Sequence, residues 1–361
     1  MDREVDRISA APAFPNQVGS ELLSDSKSAR PTVSIIGACV NEGQDWYTGV
    51  ETAPLAFREA GLVDVIEQLG YQARDLGDVC VDRSVLPEMT SGDVYYASGS
   101  IKQVEVLGET CGRLHEVVRS ESATPDNFVL TLGGDHAIAA ATVSGIKRSR
   151  KDVVVVWVDA HADCNIPETS PSGNFHGMPV GLLLGWFKKR AHPRFDWIEE
   201  YLKDPLPENR LAYIGLRDVD EEEKRLLRKS NIMVYSMTDV ERYGIGSIMD
   251  QIINTLSPDG CRPIHLSLDI DGVDPVVAPG TGTRSRGGLS FRECRYICTS
   301  LAGTGALRSM DLVEINPTID ITESSSQRIE HGDNPNIKAG TSMTVKLGID
   351  LIQFALGHTL T

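Results

Sequence analysis

The feature that most constrains this chain is a set of short, continuous apolar runs that stop at acids or histidines. Val33–Val40 (VSIIGACV), Phe128–Leu132 (FVLTL), Val153–Val158 (VVVVWV), Leu211–Leu216 (LAYIGL), Met233–Tyr235 (MVY), Ile264–Leu268 (IHLSL) and Leu307–Val313 (LRSMDLV) all have strand length. Runs that are apolar throughout, rather than alternating, mark strands covered on both faces. Helical spacing lies between them. Ala56–Leu69 stops before Gly70, a residue suited to a helix C-cap, and Ile101–Arg119, Asp220–Arg228 and Met343–Leu356 read the same way. Strands alternating with helices predict an α/β chain with a doubly wound, mostly parallel sheet and helices on both faces. The 361 residues, 41% of them hydrophobic, supply a sizeable core. No internal repeat or linker divides the chain, so residues 31–361 are expected to form one domain. Residues 1–30 are polar and aperiodic and predict a flexible tail. The polar stretch Thr322–Lys338 predicts a surface loop.

The residues that end these runs are chemically selective. Four separate strands lead into His136, into Asp159, His161 and Asp163, into Asp269 and Asp271, and into Glu314. In open α/β sheets, ligands bind beyond the carboxyl ends of the strands, so groups distant in sequence meet in one crevice. If the chain stays extended through Asp159-Ala-His161-Ala-Asp163, residues two apart point the same way and all three converge. Asp269-Ile-Asp271 repeats that device. With His136 there are six candidate ligands, four of them carboxylates and none a thiolate. A single Zn²⁺ takes about four ligands and favours Cys and His. This set suits Mn²⁺ or Mg²⁺, and two ions rather than one. Two carboxylates would bridge and hold the ions roughly 3.5–4 Å apart. Such a pair acidifies water to a hydroxide nucleophile strong enough for a poor electrophile. Remaining acids in the crevice would orient a cationic substrate.

Composition narrows the partners. Lys plus Arg is 35 and Asp plus Glu is 51, a formal charge of −16. That balance argues against nucleic acid and against anionic membranes, both of which want a basic surface. No run approaches the ~20 apolar residues a membrane helix needs. Seven scattered cysteines with no CxxC pair predict reduced, mostly buried thiols. The chain is expected to be soluble and cytoplasmic.

The motifs Gly133-Gly-Asp-His136, Val158-Asp-Ala-His-Ala-Asp-Cys-Asn165, Ser172-Gly-Asn-Phe-His-Gly-Met-Pro179, Gly215-Leu-Arg-Asp-Val-Asp220, Ser267-Leu-Asp-Ile-Asp-Gly-Val-Asp-Pro275, Gly282-Thr-Arg-Ser-Arg-Gly-Gly-Leu289 and Met310-Asp-Leu-Val-Glu-Ile-Asn-Pro317 follow one another in order. With them the chain resembles the ureohydrolases, and the arginases in particular, over about Pro31 to Gly357. The resemblance implies the arginase/deacetylase fold and two Mn²⁺ per subunit. One ion would be held by His136, Asp159, Asp163 and Asp269, the other by His161, Asp159, Asp269 and Asp271. It implies hydrolysis of L-arginine to L-ornithine and urea. Asp163 would also bond the hydroxide, a neutral-range His176 would shuttle protons, and Glu314 would pair with the guanidinium. Asn165, Ser172 and Asn174 would read the α-carboxylate, Asp220 and Glu223 the α-amino group, and Thr283 would line the pocket. Agmatinase has no need of the Ser172-Gly-Asn174 arrangement, which favours arginase over its sister hydrolases. A metal-free regulatory pseudoenzyme is the remaining alternative. Arg292-Glu293 matches a pair that joins trimers in animal arginases, which implies a homotrimer. The chain departs from the family pattern at Trp46 and Tyr47 and at Arg284-Ser-Arg286, where Arg286 is expected to point out of the cleft.

Overall fold

A computed structural model describes residues 30–45, 48–82, 84, 86, 101–188, 192–320, 337–338 and 340–358. Residues 1–29 of the expected tail, Trp46, Tyr47 and most of the predicted 322–338 loop lie outside them. Among the described residues the strands are β1 (Thr32–Ala38), β2 (Gln72–Val79), β3 (Asn127–Gly133), β4 (Val154–Val158), β5 (Leu211–Leu216), β6 (Met233–Ser236), β7 (Ile264–Asp269) and β8 (Leu307–Val313). They form one sheet in the order β2-β1-β3-β8-β7-β4-β5-β6, and every pairing is parallel.

The apolar runs work as the sequence predicts. Successive side chains of a strand point to opposite faces, so one strand feeds two cores. Val154, Val156 and Val158 pack on one face of β4 and Val155 and Trp157 on the other. Phe128, Leu130 and Leu132 of β3 oppose Val129 in the same way. Helices cover both faces. Val104–Ser122 and Ala139–Ser149 lie on one side, and Ile245–Leu256, Phe291–Gly303 and Met343–Ala355 on the other. No helix among the described residues is long and apolar enough to cross a membrane.

Two local expectations need correcting. The helical stretch Ala56–Leu69 is two helices, Ala53–Glu59 and Leu62–Gln68, broken where Gly61 takes a left-handed φ of 97°. Strand β2 (QARDLGDV) is absent from the sequence reading because it has no apolar run. It is an edge strand, largely exposed, and backbone bonds to β1 hold it.

Candidate metal centre and substrate cleft

The four central strands, β3, β8, β7 and β4, are the four that lead into candidate ligands. Beyond β3, Gly134 sits against the chain leaving β1. A Cβ there would come 1.9 Å from the Val40 carbonyl oxygen, so only glycine permits the approach. Asp135 caps the short turn that follows, accepting from Ala137 N–H, and also accepts from Gly43 N–H at 2.7 Å. This fixes His136 at the centre of the sheet.

The extended Asp-x-His-x-Asp reading does not hold. Strand β4 stops at Val158, and Asp163 takes φ 48°. The chain curls back instead, braced by Tyr213 O–H donating to the Ala162 carbonyl at 2.5 Å. The three residues therefore divide between two groups. His136, Asp159 and Asp269 place ligand atoms within 4.8 Å of one another, and so do Asp159, His161 and Asp271. Asp159 belongs to both. Asp163 joins the first group, with its Oδ2 3.1 Å from His136 Nδ1.

The geometry around His136 tests whether metal ions fit. Its Nδ1 is buried and lacks a hydrogen-bond partner, yet Asp159, Asp163 and Asp269 each bring an Oδ2 to 3.1 Å. Its Nε2 lies 2.9 Å from Ser267 Oγ, and that hydroxyl donates to Asp311 Oδ1 at 2.6 Å. A hydroxyl whose proton goes to a carboxylate presents its oxygen to the ring, so Nε2 carries the ring proton. The Nδ1 lone pair and three carboxylate oxygens then converge, an arrangement that demands a cation or extra protons. Asp311 is fully buried and also accepts from Thr142 and meets His265 Nε2 at 3.1 Å. Trp157 donates its indole N–H to Asp159 Oδ2 at 2.9 Å and stacks on the His136 ring. An oxygen-rich, thiolate-free set with an oriented imidazole fits hard divalent cations.

Protonation in the metal-free protein follows from this crowding. Burial opposes the imidazolium of His136, but Asp159, Asp163 and Asp269 overcome it and hold the ring's pKa well above its ordinary value. Burial likewise opposes a charge on His161, and Asp271 and Asp159 reverse that. Burial and the neighbouring Asp159 push Asp163 up to about 6. Burial, Asp271 and Asp159 raise Asp269 well above the carboxylate range.

A cavity of about 250 Å³ opens over these groups. Glu314, at the end of β8 with φ 60°, accepts from His136 N–H at 2.9 Å and Gln44 Nε2 at 3.2 Å. His176 Nδ1 lies 3.2 Å from its Oε1. Burial works against a charge on His176, yet Glu314, Asp163 and Asp135 raise it to about 9. This shift lies above the neutral range that the resemblance implies for His176. Asn165, Ser172, Asn174, Asp220, Glu223 and Thr283 all line the same cavity. Asn165 bridges Asp220 Oδ2 and Thr169, and Thr283 donates to Asp271 Oδ2 at 2.6 Å. Asn174 is buried with its Oδ1 unpartnered, and Ser172 is exposed at the rim. Asp220 N-caps the helix Glu221–Leu227, and Glu223 closes the capping box. Glu221 and Glu222 face solvent, whereas Glu223 is buried and its carboxyl is pushed up to about 8 by burial, Asp163 and Asp220. Arg286 is exposed and does not line the cavity, as expected, and Arg284 bonds the Thr281 carbonyl.

Sequence reasoning missed Gln44, Trp157, Ser267 and Asp311. Of these only Asp311, a carboxylate inside the apolar run of β8, carried a readable signal.

Comparison with known proteins places most of the chain among related sequences and folds. The Arginase family model matches residues 31–331. The arginase of Plasmodium berghei is 38% identical over 341 residues, 91% of this chain and 93% of that protein. The hepatic arginase of Aquarana catesbeiana is 41% identical over 84% of this chain and 90% of its own length. The native structure of arginase from Bacillus caldovelox aligns with a TM-score of 0.76 at 33% identity, covering 92% of this chain and 100% of that one.

Proposed function

This chain belongs to the arginase family, and on that premise we propose that it binds two Mn²⁺ ions and hydrolyses L-arginine to L-ornithine and urea. The observation that carries the reading is the buried, partnerless His136 Nδ1 facing three carboxylates, with a second His/Asp group sharing Asp159, at the foot of an acidic cavity. His136, Asp159, Asp163 and Asp269 would hold one ion, and His161, Asp159, Asp269 and Asp271 the other. When bound, the ions supply a hydroxide nucleophile at neutral pH and electrostatic stabilisation of the developing charge.

The chain's own residues do the rest. Burial tends to raise Glu314, but His176 and the His136 N–H hold its carboxyl below the ordinary range, so it stays ionised and can pair with a guanidinium. A guanidinium seated there competes with His176 for Glu314 and brings the His176 proton within reach of release. His176 is then placed to protonate the leaving amine of ornithine. Asp163, at the foot of the cavity beside His136, would accept a hydrogen bond and a proton there.

Ser172 and Asn174 line the cavity wall and would offer polar contacts to the α-carboxylate. Asn165 joins them while tethering Asp220. Asp220 and Glu223 face the α-amino group. Glu223 would surrender its proton when that cation arrives, which gives the pair an electrostatic reason to prefer a substrate that carries it.

Urea release from arginine, agmatine and guanidinobutyrate, each with and without Mn²⁺, tests the reading. Arginine is expected to react fastest and only with metal. Faster agmatine turnover would move the protein to a sister activity, and failure to take up metal would leave a pseudoenzyme. A homotrimer in the cytoplasm completes the proposal, supported by the exposed Arg292 on the helix Phe291–Gly303. Sedimentation and cell fractionation test those two points. Glu293 is engaged within its own helix as the capping-box partner of Ser290, which leaves Arg292 the freer member of the pair.

A further inference from the structure

The cysteines were expected to be reduced and mostly buried, and the fold sets two of them, Cys39 and Cys80, side by side. Strands β1 and β2 pair in parallel with Ala38 opposite Val79. One residue further along, Cys39 N–H continues the ladder to the Val79 carbonyl at 3.3 Å, which puts Cys39 opposite Cys80. Residues in register on parallel neighbours point to the same face, about 4.8 Å apart across the ladder. That spacing falls inside the Cα separation of roughly 4.4–6.8 Å that a disulfide needs. Cys80 is exposed and Cys39 half-buried, whereas Cys111, Cys164, Cys294 and Cys298 are buried. Cys261, the other exposed thiol, lies away from this edge, just before β7.

We propose that Cys39 and Cys80 form a redox-responsive pair, converted by peroxide-class oxidants to an intramolecular disulfide that ties the edge strand β2 to the exit of β1. Their unequal environments assign the roles. The exposed Cys80 meets the oxidant first. Its thiolate attacks one peroxide oxygen, the O–O bond breaks, and the products are the Cys80 sulfenic acid and, with a proton, water. The Cys39 sulfur then attacks that sulfenic sulfur. The S–O bond breaks, the Cys39 proton leaves with the hydroxyl as a second water, and the S–S bond forms. Overall, two thiols lose two electrons and two protons to one hydrogen peroxide. Burial, the Cys80 thiol and Asp78 push the Cys39 thiol up, so the exposed Cys80 makes the first attack and Cys39 gives up its proton as its sulfur displaces the sulfenic hydroxyl.

The location gives the bond a consequence. The chain leaving Cys39 runs to Gly43, which bonds Asp135, and to Gln44, which bonds Glu314. The disulfide would close a loop of about forty residues at the rim of the cleft and restrict the unfolded chain.

The test treats the full-length, Mn²⁺-loaded protein with near-stoichiometric hydrogen peroxide, blocks free thiols and maps peptides without reduction. The expected result is a Cys39–Cys80 cross-linked peptide formed before Cys261 reacts and reversed by dithiothreitol. The melting temperature should rise by about 2–5 °C on oxidation. Cys80→Ser should abolish the cross-link and the thermal gain. Cys39→Ala should leave Cys80 as a dimedone-trappable sulfenic acid that goes on to sulfinic acid only when further equivalents of peroxide are added. Over-oxidised Cys80 beside a free Cys39 in the unsubstituted protein, or a Cys80 no more reactive than Cys261, would overturn the proposal.

Discussion

Ser267→Ala is the sharpest probe of the metal centre, because it removes one hydroxyl and replaces none of the ligands. That hydroxyl accepts from His136 Nε2 at 2.9 Å and donates to Asp311 at 2.6 Å. Alanine leaves the Nε2–H buried without an acceptor, which costs about 1–3 kcal/mol. The metal-free protein can escape most of this cost. Its ring can shed the Nε2 proton and keep the one on Nδ1, where three carboxylate oxygens wait at 3.1 Å. The metal-bound protein cannot, since Nδ1 is then a ligand. The penalty therefore falls on binding. At about 1.4 kcal/mol per tenfold, it amounts to roughly 5–150-fold in affinity, in line with the ~10–100-fold losses seen when a ligand's orienting partner is removed. Calorimetric titration of chelator-stripped protein with Mn²⁺ should show the dissociation constant raised by about 10–100-fold. The metal-free melting temperature should fall by less than that of the loaded protein. Unchanged affinity, with the stability loss confined to the metal-free form, would refute the tautomer argument.

Four further outcomes follow from the same geometry. His136, His161, Asp163 and Asp269 all hold protons more tightly than usual in the metal-free site. Metal must displace them, so affinity should fall as pH falls and binding should release protons, measurable in buffers of different ionisation enthalpy; a pH-independent affinity would contradict this. Glu223, raised to about 8, binds a proton in the folded state that the unfolded chain has already lost above the ordinary carboxylate range. Stability should therefore decline as pH rises toward 8, and Glu223→Gln should gain on the unsubstituted protein across that window in thermal melts while raising KM for arginine. Glu314→Gln should bind Mn²⁺ normally but lose roughly 10²–10³ in urea-forming kcat. Asp311→Asn uncouples His265, Thr142 and Ser267 from their shared acceptor and should destabilise by about 3–5 kcal/mol in denaturant titration.

What the sequence made legible was chemistry at strand ends. Strand, tight turn and ligand are adjacent in the chain, so Gly133-Gly-Asp-His136 and Asp269-Ile-Asp271 can be read locally. The path beyond a strand is less local. Whether Asp159 to Asp163 stays extended depends on Tyr213 gripping the Ala162 carbonyl from β5, which no local pattern contains. Strand β2 was invisible because an edge strand needs only one row of backbone bonds and little apolar surface. Trp157 and Ser267 were hidden for the opposite reason. Inside apolar strands they look like core, and only the sheet order brings them against His136. The carboxylate of Asp311, amid Leu-Arg-Ser-Met and Leu-Val, was the exception: a charge in a central strand needs partners, and it has three.

The strand order also has a consequence for how the molecule comes into being. β7 and β8 are the last two strands in the chain, yet they lie in the middle of the sheet and alone join β3 to β4. Until they emerge during synthesis, the nascent chain can hold only two half-sheets, β2-β1-β3 and β4-β5-β6, each with a bare inner edge rich in valine and leucine. A fragment ending before residue 264 is expected to aggregate through those edges and to bind no Mn²⁺, a result that solubility and metal uptake of the truncated chain would check. The ribosome thus withholds the centre until both central strands are made, since Glu314, just beyond β8, is the last of its groups to arrive.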